Sequence, residues 1–139
     1  MLLVRCLNEP AQGQWFWPGG RLYKAEELVA VAHRVAREEL GLDVRIEGRL
    51  GVYSHFWETS ADIGLPSRHT VNVIYAASLF DPEASGVLDD QHDEYRVLKE
   101  SEDSLHEYVM LYLNDLHPFW CTSSRRRLAA VWNQGSHRR

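Results

Sequence analysis

"QWFWPGGRLYKAEELVAVAHRVAREELGL" (Gln14–Leu42) holds an aromatic run, a Gly-Gly turn and a periodic segment in one stretch of chain. From about Ala25 to Leu40 the pattern is helical, because Leu28, Val31, Ala32 and Val35 recur at i, i+3, i+4 and i+7 and share one face. Gly41 supplies the stop, where a left-handed residue is needed. Arg34 and Glu38, four residues apart, are placed to pair. Glu39 lies about 100° round from Glu38, on the side of Val35 and Leu28. Glu26, near the helix start, suits the positive end of the helix dipole. Two adjacent carboxylates beside a loop carbonyl form an oxygen set that a hard cation such as Mg²⁺ accepts, with waters and a substrate phosphate completing its octahedron. Taken alone, "REE" on a helix reads first as a solvated charged face.

Outward from this stretch, "MLLVRCL" predicts a short strand ended by the turn residues of "NEPAQGQ". "DVRIEGRLGVYSHFWE" alternates with period two and predicts strands broken at Gly48 or Gly51. "TSADIGLPSR" reads as a loop, "HTVNVIYAASLF" as the central strand, "DPEASGVLDDQHD" as an acidic loop and "EYRVL" as a short strand. Ser104 to Leu116 predicts an amphipathic helix. Strands mixed with helices give an α/β or α+β sandwich.

The 139 residues amount to one domain, divided into a body over 1–116 and a basic tail over 117–139. Five of the fifteen Lys+Arg and none of the twenty Asp+Glu lie in that tail, so the body carries ten against twenty, a net −10. An acidic body is a poor surface for nucleic acid, and the tail reads as solvated and partly disordered. No stretch approaches the ~20 apolar residues of a membrane span, and "MLLVRCLNEP" turns polar too soon for a signal peptide. Cys6 and Cys121 lack metal-type spacing and read as free thiols, which points to a cytoplasmic protein.

The opening stretch resembles the Nudix box, G-x5-E-x7-R-E-U-x-E-E-x-G-U with U apolar. Gly20, Glu26, Arg34, Ala36, Glu38, Glu39, Gly41 and Leu42 fall in register over twenty-three residues, and Val35 replaces a glutamate. The resemblance implies the Nudix fold, an α/β arrangement with a mixed β-sheet sandwiched between helices. It also implies Mg²⁺ or Mn²⁺ and a substrate carrying a nucleoside diphosphate. "NEPAQGQWFWPGGR", "GVYSHF" and "DDQHDEYRVL" are similar to the GDP-mannose mannosyl hydrolase branch of that family, which lacks the same glutamate. Members of that branch cleave the sugar C1–O bond with inversion, releasing GDP and free hexose.

By this resemblance Glu39 is a metal ligand, with Gln91 through its side-chain carbonyl and Gly19 or Gly20 through backbone oxygen. Glu38 either joins them or holds Arg34. His92 is the general base, a role that suits an imidazole near neutral pH. Arg21 and Arg34 contact the diphosphate, where a guanidinium fork matches phosphate oxygens. His55 lies near the leaving group. Trp15, with Phe16 and Trp17, either stacks a guanine or belongs to the core. The family also implies a homodimer. Against its pattern, an N-terminal strand is missing, Cys6 falls near an expected arginine, and Thr70 stands where a tyrosine is expected. An absent strand leaves unpaired backbone, which a neighbour or the basic tail must cover. Two other readings stay open: a pyrophosphohydrolase cutting P–O, and an inactive nucleotide-binding domain.

Overall fold

"RHTVNVIYAASL" alternates its side chains between two apolar surroundings, and the chain is built around it. In the computed structural model, which describes residues 1–58, 66–98, 102–120 and 127–135, this segment is strand β5 (Arg68–Leu79). It follows β1 (Leu2–Cys6), β2 (Trp15–Phe16), β3 (Gly19–Arg21), helix α1 (Leu28–Leu40) and β4 (Val44–Trp57). After it come β6 (His92–Val97), α2 (Glu107–Trp120) and β7 (Arg127–Gly135). One sheet has the order β2-β1-β6 and the other β3-β7-β5-β4; β3 and β7 run parallel and the remaining pairs antiparallel.

The period of two in β5 sorts its side chains between the helices. Val73 and Tyr75 pack with Val31, Ala32 and Val35 of α1, and Ala77 with Ala36 and Leu40. Ile74 packs instead with Val109, Tyr112 and Leu113 of α2. β1 divides the same way, Leu3 toward α2 and Leu2 and Val4 toward α1. The expected sandwich of sheet between helices is present. No described helix is long and apolar enough to cross a membrane.

Four local expectations change. α1 begins at Leu28, not Ala25: Ala25 has φ 63°, outside the helical region, and Glu27 at the N-cap is extended. Glu26 is therefore not a first-turn acid; it folds back to accept the Tyr23 N–H at 3.0 Å. β4 is one strand, with register shifts between Ile46 and Gly48 and between Arg49 and Gly51 where breaks were expected, so the glycines mark bulges. β6 starts at His92 because Cys6 of β1 pairs with it, and α2 runs Glu107–Trp120 instead of Ser104–Leu116.

The largest change is at the C-terminal end. Residues expected in a solvated tail form β7, which pairs with β5 from Thr70↔Gly135 to Ser78↔Arg127 and with β3 from Gly19↔Val131 to Arg21↔Asn133. This strand pairs the backbone of β3 on one side and of β5 on the other. Most of the "TSADIGLPSR" loop and Cys121 lie outside the described residues. Cys6 is a free thiol.

Candidate active site

The turn before α1 is fixed by one guanidinium. Arg34 donates from Nε to Glu26 Oε1 (2.7 Å), from Nη2 to Glu26 Oε2 (3.0 Å) and to the Arg21 carbonyl (2.7 Å), and from Nη1 to Glu38 Oε2 (2.8 Å). Its Cζ also stands 4.1 Å from the Tyr23 ring centroid. Glu26 binds it most strongly, which holds the guanidinium charged and draws the Glu26 carboxyl below its ordinary value. Arg34 thus ties the helix to the Gly-Gly turn, and Glu38 belongs to that clamp. Neither lines the cavity described next, nor do Arg21, Gly20 or Trp15. Trp15 instead takes the Arg96 guanidinium 4.4 Å from its ring centroid.

Residues from both sheets and from α1 line a cavity of about 150 Å³. Glu39 reaches it from the last turn of α1, only 6% exposed, and its Oε2 accepts the Gly19 N–H at 3.0 Å. Burial, with the Asp89 and Glu38 charges, pushes its carboxyl up to about 8, against the Gly19 bond and Arg34. A carboxylate held in this way is stabilised in its charged form by a nearby cation.

Gly20 sets how near the turn comes to the helix. A Cβ there would stand 2.6 Å from Val35 Cγ2 and 3.7 Å from Glu39 Oε1, so only glycine fits. Val35 itself is 1% exposed and packed with Val31, Val73 and Tyr75. The apolar residue is core filling, and no carboxylate has its place.

Asp89, whose backbone N–H donates to the Glu39 carbonyl at 3.3 Å, organises Gln91 and His92. Its Oδ1 accepts the Gln91 backbone N–H at 3.1 Å and its Oδ2 the Gln91 Nε2 at 3.3 Å, which engages the amide nitrogen and not the side-chain carbonyl oxygen. Asp89 Oδ1 also faces His92 Nδ1 at 2.7 Å. A carboxylate only accepts, so in the neutral ring Nδ1 carries the proton and Nε2 the lone pair. Glu39, Gln91 and the nearby backbone give hard oxygen donors, which suits one Mg²⁺-sized ion completed by waters and substrate oxygens. Among the described residues no group of three or more His, Cys, Asp and Glu side chains forms a closed cage.

His55 closes the far side. It stacks on Tyr108 with ring centroids 3.9 Å apart and 3° between planes, and the Tyr112 hydroxyl and its Nε2 share a hydrogen bond. Burial, helped by the His106 charge, lowers its imidazole to about 4, while burial raises the Tyr112 phenol. His55 is thus both a core residue and a cavity wall, neutral at physiological pH. Cys6 also lines the cavity; burial and the Glu39 and Asp89 charges push its thiol up to about 12, so it stays protonated.

The structure brings together Glu39, Gln91, His92, His55 and Gly19. Asp89, Asn72 and the wall residue Trp17 were not singled out from sequence as polar site groups. The spacing D-x-x-H from Asp89 to His92 was the available signal for the first.

A model of the NUDIX domain family matches residues 1–116. "Low-salt glycan biosynthesis protein Agl8" of Haloferax volcanii is 43% identical over 109 residues, covering 78% of this chain and 69% of that protein. With the glycine turn, the Arg34 clamp and the buried Glu39 all inside the matched span, the chain belongs to the Nudix family.

Proposed function

We propose that the protein hydrolyses a GDP-hexose, GDP-mannose or GDP-glucose, at the sugar C1–O bond to give GDP and free hexose. The observation that carries this is His92. It stands on the wall of the cavity that holds Glu39, oriented through Nδ1 by Asp89, with Nε2 left to accept a proton. In a displacement at C1, a water attacks the face opposite the departing diphosphate and needs a base there. His92 takes the water's proton, and Asp89 steadies the imidazolium that forms. The diphosphate leaves with its charge, so the barrier falls most when that charge is neutralised.

Glu39 and the Gln91 carbonyl, with backbone oxygen of Gly19, would hold Mg²⁺, which would supply positive charge to offset that of the diphosphate leaving group. No second carboxylate is required, in keeping with Val35 as core. The clamp on Arg34 makes it a positioning residue in this reading rather than a diphosphate contact. The printed name of the Haloferax volcanii relative refers to glycan biosynthesis, which supports a sugar-bearing substrate. Magnesium as the ion and a homodimer as the assembly rest on the family resemblance, and the cytoplasm as the compartment on the reading of the two cysteines as free thiols.

The test is the product pattern from GDP-mannose with Mg²⁺ in ¹⁸O-labelled water, read by ³¹P NMR and mass spectrometry. Unlabelled GDP with labelled mannose is expected. GMP with mannose 1-phosphate would establish P–O cleavage and remove the His92 mechanism.

A further inference from the structure

Three buried side-chain polar atoms lack a hydrogen-bond partner among the described residues: Trp17 Nε1, Asn72 Oδ1 and Arg96 Nε. The first two belong to residues on the wall of the cavity that holds Glu39 and His92. Trp17 is 2% exposed and Asn72 0%. The other end of the Asn72 amide is engaged: Nδ2 donates to Thr70 Oγ1 at 3.5 Å, and the side chain hydrogen-bonds the Tyr112 phenol. Oδ1 is the atom left over. The Trp17 ring is packed against Tyr112, centroids 6.2 Å apart, so its N–H is held in place.

Leaving such groups unpaired in a folded protein is costly, so a native site completes them with water, an ion or a bound molecule. The two atoms have opposite sense, one donor and one acceptor. A phosphate oxygen answers only the donor. A hydroxyl both donates and accepts, and a hexose ring carries several. The cavity holding His92 is also where the sugar, not the base, must sit if His92 serves C1. We infer that Trp17 Nε1 and Asn72 Oδ1 are a specificity-determining pair that takes up ring hydroxyls of the hexose. They thereby decide which epimer the cavity accepts. This rests on the nucleotide-sugar reading, in which His92 serves C1. A site built to bond a hydroxyl discriminates strongly against an analogue that lacks or misplaces it, because the protein groups are then left unpaired.

The test measures binding of GDP, GDP-mannose and GDP-glucose by calorimetry, with Mg²⁺, on the full chain carrying His92→Gln so that turnover does not intrude. Trp17→Phe and Asn72→Leu are then added one at a time. The preferred GDP-hexose should lose about tenfold or more in affinity with each, while GDP moves less than about twofold. GDP-mannose analogues lacking single hydroxyls, with residues 17 and 72 unaltered, provide the same reading should a variant fold poorly. One analogue should lose about tenfold, and its affinity should no longer respond to Trp17→Phe. Equal losses for GDP and GDP-hexose would assign the pair to the base and overturn the inference. Unchanged affinities would do the same, with water filling the two positions, as would a cavity that binds both GDP-hexoses no better than GDP. P–O products from the unsubstituted chain would remove the proposed reaction yet leave the sugar-binding result standing.

Discussion

Val35→Glu places a carboxylate against Gly20 and inside the Val31, Val73 and Tyr75 cluster, where the Cβ of a residue at position 20 would already meet the side chain. A buried carboxylate without a partner there should cost roughly 3 kcal/mol, because desolvation is not repaid. The urea midpoint is expected to fall, with no gain in turnover of GDP-mannose; a variant as stable as the parent would show that the helix and turn part to admit a second ion. At the same scale, Asp89→Asn leaves a group able to meet Gln91 but weakens the hold on His92 Nδ1. Its kcat should drop about 10- to 100-fold, the usual cost of losing the partner that orients a functional imidazole. Steady-state kinetics beside a thermal melt separates this from misfolding. That Glu39, Gln91 and His92 would share a cavity was legible through two short stretches, 20–42 and 89–98, each similar to the family's pattern. Trp17 and Asn72 were not, since fifty-five positions separate them and only the fold sets them on one wall.

β4 and α2 meet through His55, which is stacked on Tyr108 and bonded by Tyr112, with His106 and Trp57 beside it. Its imidazole is lowered from 6.5 to about 4. As pH falls, the unfolded chain takes the proton first, so stability contributed above about 6.5 is lost between 6.5 and 4 and levels off below. The loss should approach about 3 kcal/mol. His106, also lowered by burial, adds in the same direction. Urea unfolding from pH 7 to pH 4 should therefore show a shallower slope in His55→Gln than in the parent; equal slopes would assign the decline to carboxylates alone. Element types were largely readable here, because β4 alternates and α1 has a clean helical stripe. Their ends were not, because the left-handed Ala25 and the bulges beside Gly48 and Gly51 answer to the turn and to β5 rather than to local periodicity.

The arrangement of the whole sheet was the least legible feature. "RLAAVWNQG" follows a basic run and gives no local sign that it is a central strand, yet its backbone lies between β3 and β5. What selects it is the backbone of those two strands, of which β3 lies more than a hundred residues before it in sequence. The consequence reaches the site. β3 carries Gly19, whose N–H fixes Glu39, and β7 is its sheet neighbour. Ending the chain after Arg126 should therefore abolish cooperative unfolding, and with it the Mg²⁺-dependent change in melting temperature. A milder probe is Val131→Pro, which removes a backbone donor from a strand paired on both sides and should lower the melting temperature by roughly 10 °C. In that variant Mg²⁺ affinity should weaken along with stability, because the turn loses its neighbour. If the shortened chain melts cooperatively at the parent temperature and keeps its Mg²⁺ response, β3 and β5 do not depend on β7. The basic end would then be a solvated tail, and the Gly19–Glu39 geometry would be held by the Arg34 clamp alone.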